Sequence, residues 1–198
     1  MPPTAKARRQ RSDARANYER IVHAGRELFA AKGTATHADV ARAAGIGKAT
    51  VFRVFPSREA MISAFLEPQT IWIEARVCEA ILQARQGDPW TALAEALYDV
   101  IHRIRQDRIA GMVFDVDTHA VGDDAHRLAT LSDELIALGI RAGRVRSEVT
   151  SRDLRRLIRG LALALSSEQE ARPEEWDRCV ELTLAACAVQ QGKHSHAP

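Results

Sequence analysis

The chain has 198 residues, 46% of them hydrophobic and 27% charged, a balance that suits one or two globular domains and excludes wholesale disorder. No apolar stretch approaches the roughly 20 residues that cross a bilayer, and the polar, basic start Met1 to Arg11 lacks the apolar segment of a secretory signal. Net charge is only +2, yet residues 1–58 hold 12 Lys/Arg against 4 Asp/Glu, leaving 16 against 22 for the remainder. A basic first quarter on an acidic remainder suits one part that faces a polyanion; a solvated charge run is the plainer reading. Cys78, Cys179 and Cys187 are widely spaced and odd in number, as expected of reduced thiols in a cytoplasmic protein.

In chain order, residues 1–13 read as a flexible basic arm. Helical spacing starts near Ala14 and closes at Lys32-Gly33, with Ile21, Ala24, Gly25, Leu28 and Phe29 on one face. Thr36 is a plausible N-cap for a short helix over His37 to Ala44, broken by Gly45. A second short helix, about Lys48 to Val54, ends before Phe55-Pro56, because the residue preceding proline disfavours helix. Ser57 caps the next segment, with Glu59 in its first turn. Amphipathic helices then recur, with breaks expected at Pro68, Gly87-Asp88-Pro89, Gly111, Gly122-Asp123, Gly143 and Ala171-Arg172-Pro173. Alternating strand patterns are scarce. The prediction is an all-α chain of about nine helices: a three-helix helix-turn-helix domain over 14–60, a helical bundle over 61–190, and a flexible tail over 191–198.

The segment Asp39-Val-Ala-Arg-Ala-Ala-Gly-Ile-Gly-Lys-Ala-Thr-Val-Phe-Arg53 carries the function. Two short helices crossing steeply need a small residue where they touch (Ala41) and a residue that tolerates positive φ in the turn (Gly45). Val40, Ala44, Ile46 and Val51 are then core, as Phe52 and Phe55 are expected to be. This is the helix-turn-helix pattern, whose second helix enters the DNA major groove.

Here the chain resembles the tetracycline-repressor (TetR) family of transcriptional regulators. The resemblance rests on Ile21 to Phe29, Gly33, Asp39-Val-Ala, Ala44-Gly-Ile, Lys48 to Phe52 and Phe55-Pro-Ser-Arg-Glu59. Ala142-Gly-Arg-Val-Arg146 and Ser151-Arg-Asp-Leu154 add a weaker signature. Set against the family pattern, the Gly33–Thr36 connection is about two residues short, Phe52 replaces a usual tyrosine, and Arg53 stands where histidine is frequent. The resemblance implies a homodimer that binds double-stranded, palindromic operator DNA and is released by a small-molecule effector, without a cofactor.

Carried over by position, Thr36 and Ser57 hold phosphate at helix N-termini. Lys48, Arg53 and Arg58 supply cations to phosphate. Gly47, Lys48, Ala49 and Thr50 start the recognition helix and reach base edges, while Arg8, Arg9 and Arg11 enter the minor groove or track the backbone. For the effector, Phe65, Trp72, Trp90, Tyr98, His102, Phe114, His119 and Leu131 are the candidate lining, although an aromatic at helical spacing is more often core. The stripes Leu154, Leu157, Ile158, Leu161, Leu165 and Trp176, Val180, Leu184, Cys187, with Gly160 and Ala164 permitting close approach, are the candidate dimer interface. Asp115-Val-Asp-Thr-His119 fits no metal motif, and no catalytic motif such as GxSxG or HExxH occurs. Alternative classes are a non-specific architectural DNA binder and, less favoured, an all-helical enzyme.

Overall fold

Two hydrophobic clusters organise the molecule, a computed structural model that describes residues 5–114, 123–167 and 171–189. Among these residues it forms α1 (Ala5–Lys32), α2 (His37–Ala44), α3 (Lys48–Val54), α4 (Arg58–Gln86), α5 (Pro89–Gln106), α6 (Arg108–Met112), α7 (Asp123–Arg141), α8 (Ser151–Ser167) and α9 (Pro173–Cys187). The fold is all-α. An isolated antiparallel bridge joins Val145 to Ala188.

The first cluster is the core of an amino-terminal head. Ile21 and Phe29 of α1, Val40 of α2 and Val51 of α3 meet Phe55, then Met61 and Phe65 of α4, and Ile109 of α6 completes it. The second cluster fills the body, where Ile73, Val77 and Ile81 of α4 pack with α5, α7, α8 and α9. A division after residue 60 therefore cuts through α4, whose first two turns belong to the head and whose later turns belong to the body. The same helix carries both cores.

Two expectations are corrected. The break at Pro68 does not occur, since α4 runs unbroken through it. A proline inside a helix removes one hydrogen bond and costs about 3 kcal/mol, but burial of Phe65, Leu66, Ile73 and Val77 on either side offsets that at roughly 1.5–3 kcal/mol per side chain. The Arg26 guanidinium also donates to the Phe65 carbonyl at 2.6 Å, beside the carbonyl that proline leaves without a donor. Likewise, α1 begins at Ala5 rather than near Ala14. No glycine or proline follows Pro3 before Gly25, and Ala, Arg, Lys and Gln are strong helix formers, so the basic arm continues α1. The tail 191–198 and residues 115–122 lie outside the described residues.

Candidate nucleic-acid interface

Local chemistry sets the geometry of α2 and α3. Thr36 caps α2: its hydroxyl accepts from the Asp39 N–H at 3.2 Å, and the Asp39 carboxylate accepts from the Thr36 N–H at 3.3 Å and hydroxyl at 2.6 Å. Such a reciprocal box satisfies donors that a helix start leaves orphaned. The Thr36 hydroxyl, then its N–H, hold the Asp39 carboxyl below the usual carboxylate range. Gly45 ends α2 at φ 63°, a left-handed conformation that side chains with a Cβ avoid. Val40, Ala41, Ala44 and Val51 are buried at the crossing, and Ile46 is half-buried.

A group that sequence reasoning missed locks this turn. Arg20 of α1 donates from Nη2 to the Ala44 carbonyl at 2.7 Å. It thereby satisfies a carbonyl at the end of α2, and its cation complements the negative helix end. The sequence signal was available only as a cation on the polar side of α1, one of many.

His37 is the second omission. Its ring is buried, and Nε2 donates to the Phe55 carbonyl at 2.9 Å; a carbonyl only accepts, so Nε2 carries the proton. The ring stacks flat on Phe52 at 4.1 Å between centroids. Phe52 itself is 44% exposed, which corrects its expected place in the core. Its outer face lies 5.7 Å below the Lys48 ammonium, within reach of a cation–π attraction. Phe55 is buried as expected.

The residues expected to contact DNA lie at the surface of the head. Thr36, Gly47, Lys48, Ala49, Arg53, Ser57 and Arg58 are exposed and Thr50 is half-buried. Arg58 donates to the Thr34 hydroxyl at 2.9 Å, and the Ser57 hydroxyl caps α4 by accepting from the Ala60 N–H. Arg8, Arg9 and Arg11 are exposed on the amino-terminal turns of α1.

A polar joint ties this head to the body. Asp107, between α5 and α6, accepts from Arg26 at 3.3 Å and from the Gln69 amide at 2.5 Å, and it caps α6 through the Ile109 N–H. Gln69 is almost fully buried and accepts from Arg103 at 2.9 Å, while Arg103 lies over the Trp72 ring.

In the body, an apolar cavity opens between α4, α5, α7 and α8, and among the described residues Phe114 is the only expected lining residue on it. Phe65 belongs to the head core instead. Trp72, Trp90, Tyr98 and Leu131 pack on the periphery of the body core. His102 is held by Asp177 at 2.7 Å. The α5 residues on the cavity are Leu93, Ala96, Leu97 and Val100; one or two positions of helical phase turn Tyr98 and His102 away from it. His119 lies outside the described residues. Among those described, no group of three or more His, Cys, Asp or Glu is placed to hold a metal ion.

The expected interface stripe divides in the same way. Ile158, Leu165, Trp176, Val180 and Cys187 are buried in the chain's own core, Leu154, Leu161 and Leu184 are half-buried, and Leu157 is exposed. Leu163 of α8 and Leu182 of α9, each 53% exposed, face outward instead. Periodicity identified the inner stripe because it is the more apolar of the two faces.

A basic helix-turn-helix head fused to a helical body is the build of a DNA-binding transcription regulator. Residues 21–65 match the model of the bacterial regulatory proteins, tetR family. The amino-terminal head, from α1 into α4, thus bears the DNA-binding pattern of that family. No curated protein matches it in sequence. Solved structures share the fold. The regulator FadR of Bacillus subtilis in complex with stearoyl-CoA is 15% identical at a TM-score of 0.62, covering 85% of this chain and 98% of its own. The ketosteroid transcriptional regulator KstR2 of Mycobacterium tuberculosis is 16% identical at 0.62, covering 88% and 96%. RolR in complex with resorcinol is 19% identical at 0.63, covering 90% and 91%. In this chain, no helix of the described residues is long and apolar enough to cross a membrane.

Proposed function

We propose that the protein is a cytoplasmic homodimeric repressor that binds a roughly palindromic operator and is released by a small-molecule effector. The observation that carries this reading is the outward face of α3. Gly47, Lys48, Ala49 and Arg53 are exposed while Val51 behind them is fully buried, so a rigid helix presents cations and small side chains to a groove. Lys48 and the Thr50 methyl read base edges. Arg53, Arg58 and the caps at Thr36 and Ser57 hold phosphates, and Arg8, Arg9 and Arg11 extend the basic surface along α1.

The exposed side of α8 and α9 supports the dimer. Leu157, Leu161 and Leu163 of α8 and Leu182 of α9 lie there, and a Cβ at Gly160 would meet open space, so a partner helix can approach closely. Two-fold pairing places two α3 helices on successive major grooves. Effector binding in the body disfavours that alignment through the Arg26–Asp107–Gln69 joint, at a coupling free energy of about 1–3 kcal/mol.

A gel-shift titration against the DNA flanking the protein's own gene tests the reading. Sequence-specific binding that weakens steeply with salt is expected, and Arg53→Ala lowers the salt dependence by about one phosphate contact. Equal affinity for that DNA and for random duplex overturns it in favour of a non-specific binder.

A further inference from the structure

We infer that the effector is a small, uncharged, predominantly apolar molecule that occupies the cavity between α4, α5, α7 and α8; this rests on the proposal that the body senses a small molecule. The cavity measures about 50 Å³, and of the twelve described side chains that line it eleven, from Ile73 and Val77 through Leu97 and Leu135 to Ile158, end in carbon. The exception is Ser132, whose hydroxyl already donates to the Leu128 carbonyl at 2.8 Å, one turn back on its own helix. Among the described residues no charged side chain lines this space, so a carboxylate, phosphate or ammonium meets no opposite charge from them. Among the described residues the charged groups nearby in sequence are off the lining, where Arg76 pairs with Asp99, Glu74 with Arg127 and His102 with Asp177. Moving an unpaired ion into such surroundings costs several kcal/mol, whereas an apolar molecule there gains roughly 25 cal/mol for each Å² of its surface removed from water.

The volume adds a second constraint. An apolar cavity that takes up benzene measures about 150 Å³, three times the space present, so an aromatic occupant has to part α7 and α8 from α4 and α5. Phe114 carries that displacement toward the head. Its N–H bonds the Gly111 carbonyl of α6 at 3.1 Å, and Ile109 of the same short helix sits in the head core. Occupancy and head position are thereby mechanically linked.

Calorimetric titration of the full-length protein with toluene and with benzoate, which match in ring size and differ in charge, tests the inference. Saturable toluene binding is expected, with benzoate weaker by about tenfold or more. Ala96→Leu, which fills the cavity from α5, should weaken toluene by a similar factor while circular dichroism shows an unchanged helical fold. Val77→Ala, which enlarges it, should strengthen toluene binding and serves if the filled variant does not fold. Ser132→Ala should leave the affinity within about twofold. Benzoate binding as tightly as toluene, or no saturable binding of toluene to the wild type or to Val77→Ala, overturns the inference. Operator binding is read separately by gel shift, so failure here with specific DNA binding retained strikes the ligand class alone, and loss of DNA specificity strikes the regulator reading.

Discussion

Head and body are both clusters of helices, but they hold themselves together differently. The head seats two short helices against α1 through small residues at the crossing and directional polar bonds: the Thr36–Asp39 box, Arg20 on the Ala44 carbonyl and His37 on the Phe55 carbonyl. The body around its cavity uses long helices and branched aliphatic side chains, whose burial has no preferred direction. The difference teaches how one chain combines registry with compliance. A surface that reads a groove has to present side chains at set positions, and directional bonds enforce that. A chamber that admits a molecule has to let helices slide, and carbon packing resists sliding less than broken hydrogen bonds do.

Breaking the head should therefore be abrupt. The largest effect is expected at Gly25, where an added Cβ would stand 2.0 Å from the Phe65 ring, itself fully buried. Gly25→Ala improves helix propensity by about 1 kcal/mol, yet overpacking should outweigh it and leave a net loss of about 2 kcal/mol in urea denaturation. An unchanged or raised midpoint would show that the α1–α4 contact yields as the body does. Next comes Gly45→Val, which places a β-branched residue at φ 63° and should cost about 1–3 kcal/mol of local strain. DNA binding should weaken, while the dimer, read by light scattering, persists. Full DNA binding by this variant would locate the critical turn elsewhere.

The smallest effect sharpens the comparison through pH. Asp39 in the head, Asp88 before α5 and Asp153 in α8 have carboxyls held below their ordinary range, first by the Thr36, Thr91 and Thr150 hydroxyls respectively. A carboxyl with a depressed folded-state pKa contributes stability that is present above the unfolded value, about 3.9, and is lost as pH falls through the lower folded value. Thr36→Ala should remove the share of this acid dependence that Asp39 carries and leave that of Asp88 and Asp153. Amide exchange at the start of α2, followed from about pH 5 to pH 3, gives the measurement. Loss of protection in α5 and α8 as well would mean that the two regions unfold as one.

The short helices were legible because their signals are local. The bounds of α2 and α3 follow from Thr36, Gly45 and Phe55-Pro56, each acting on its own backbone within a residue or two. Their exposed face followed too, since burying Val40, Val51 and Ala44 leaves Lys48 and Arg53 no other side. Elsewhere the pattern named a face without naming what covers it. Leu165 and Trp176 read as interface and are core, Phe52 reads as core and lies outside against His37, and Tyr98 and His102 read as lining, yet their rings meet edge to face and His102 is held by Asp177. Pro68 reads as a stop, yet flanking burial and the Arg26 bond carry α4 past it.

The sequence by itself determined the all-α class, the helix-turn-helix register, the left-handed turn at Gly45 and the basic character of the head, all consequences of caps, propensity and charge within a few residues. Tertiary structure alone decided that α4 serves two cores, that Arg20 and Asp107 fasten the head, and which apolar residues surround the cavity. Those depend on which helix lies against which, a choice made by the summed burial of many side chains far apart in the chain, and no local signal carries that sum.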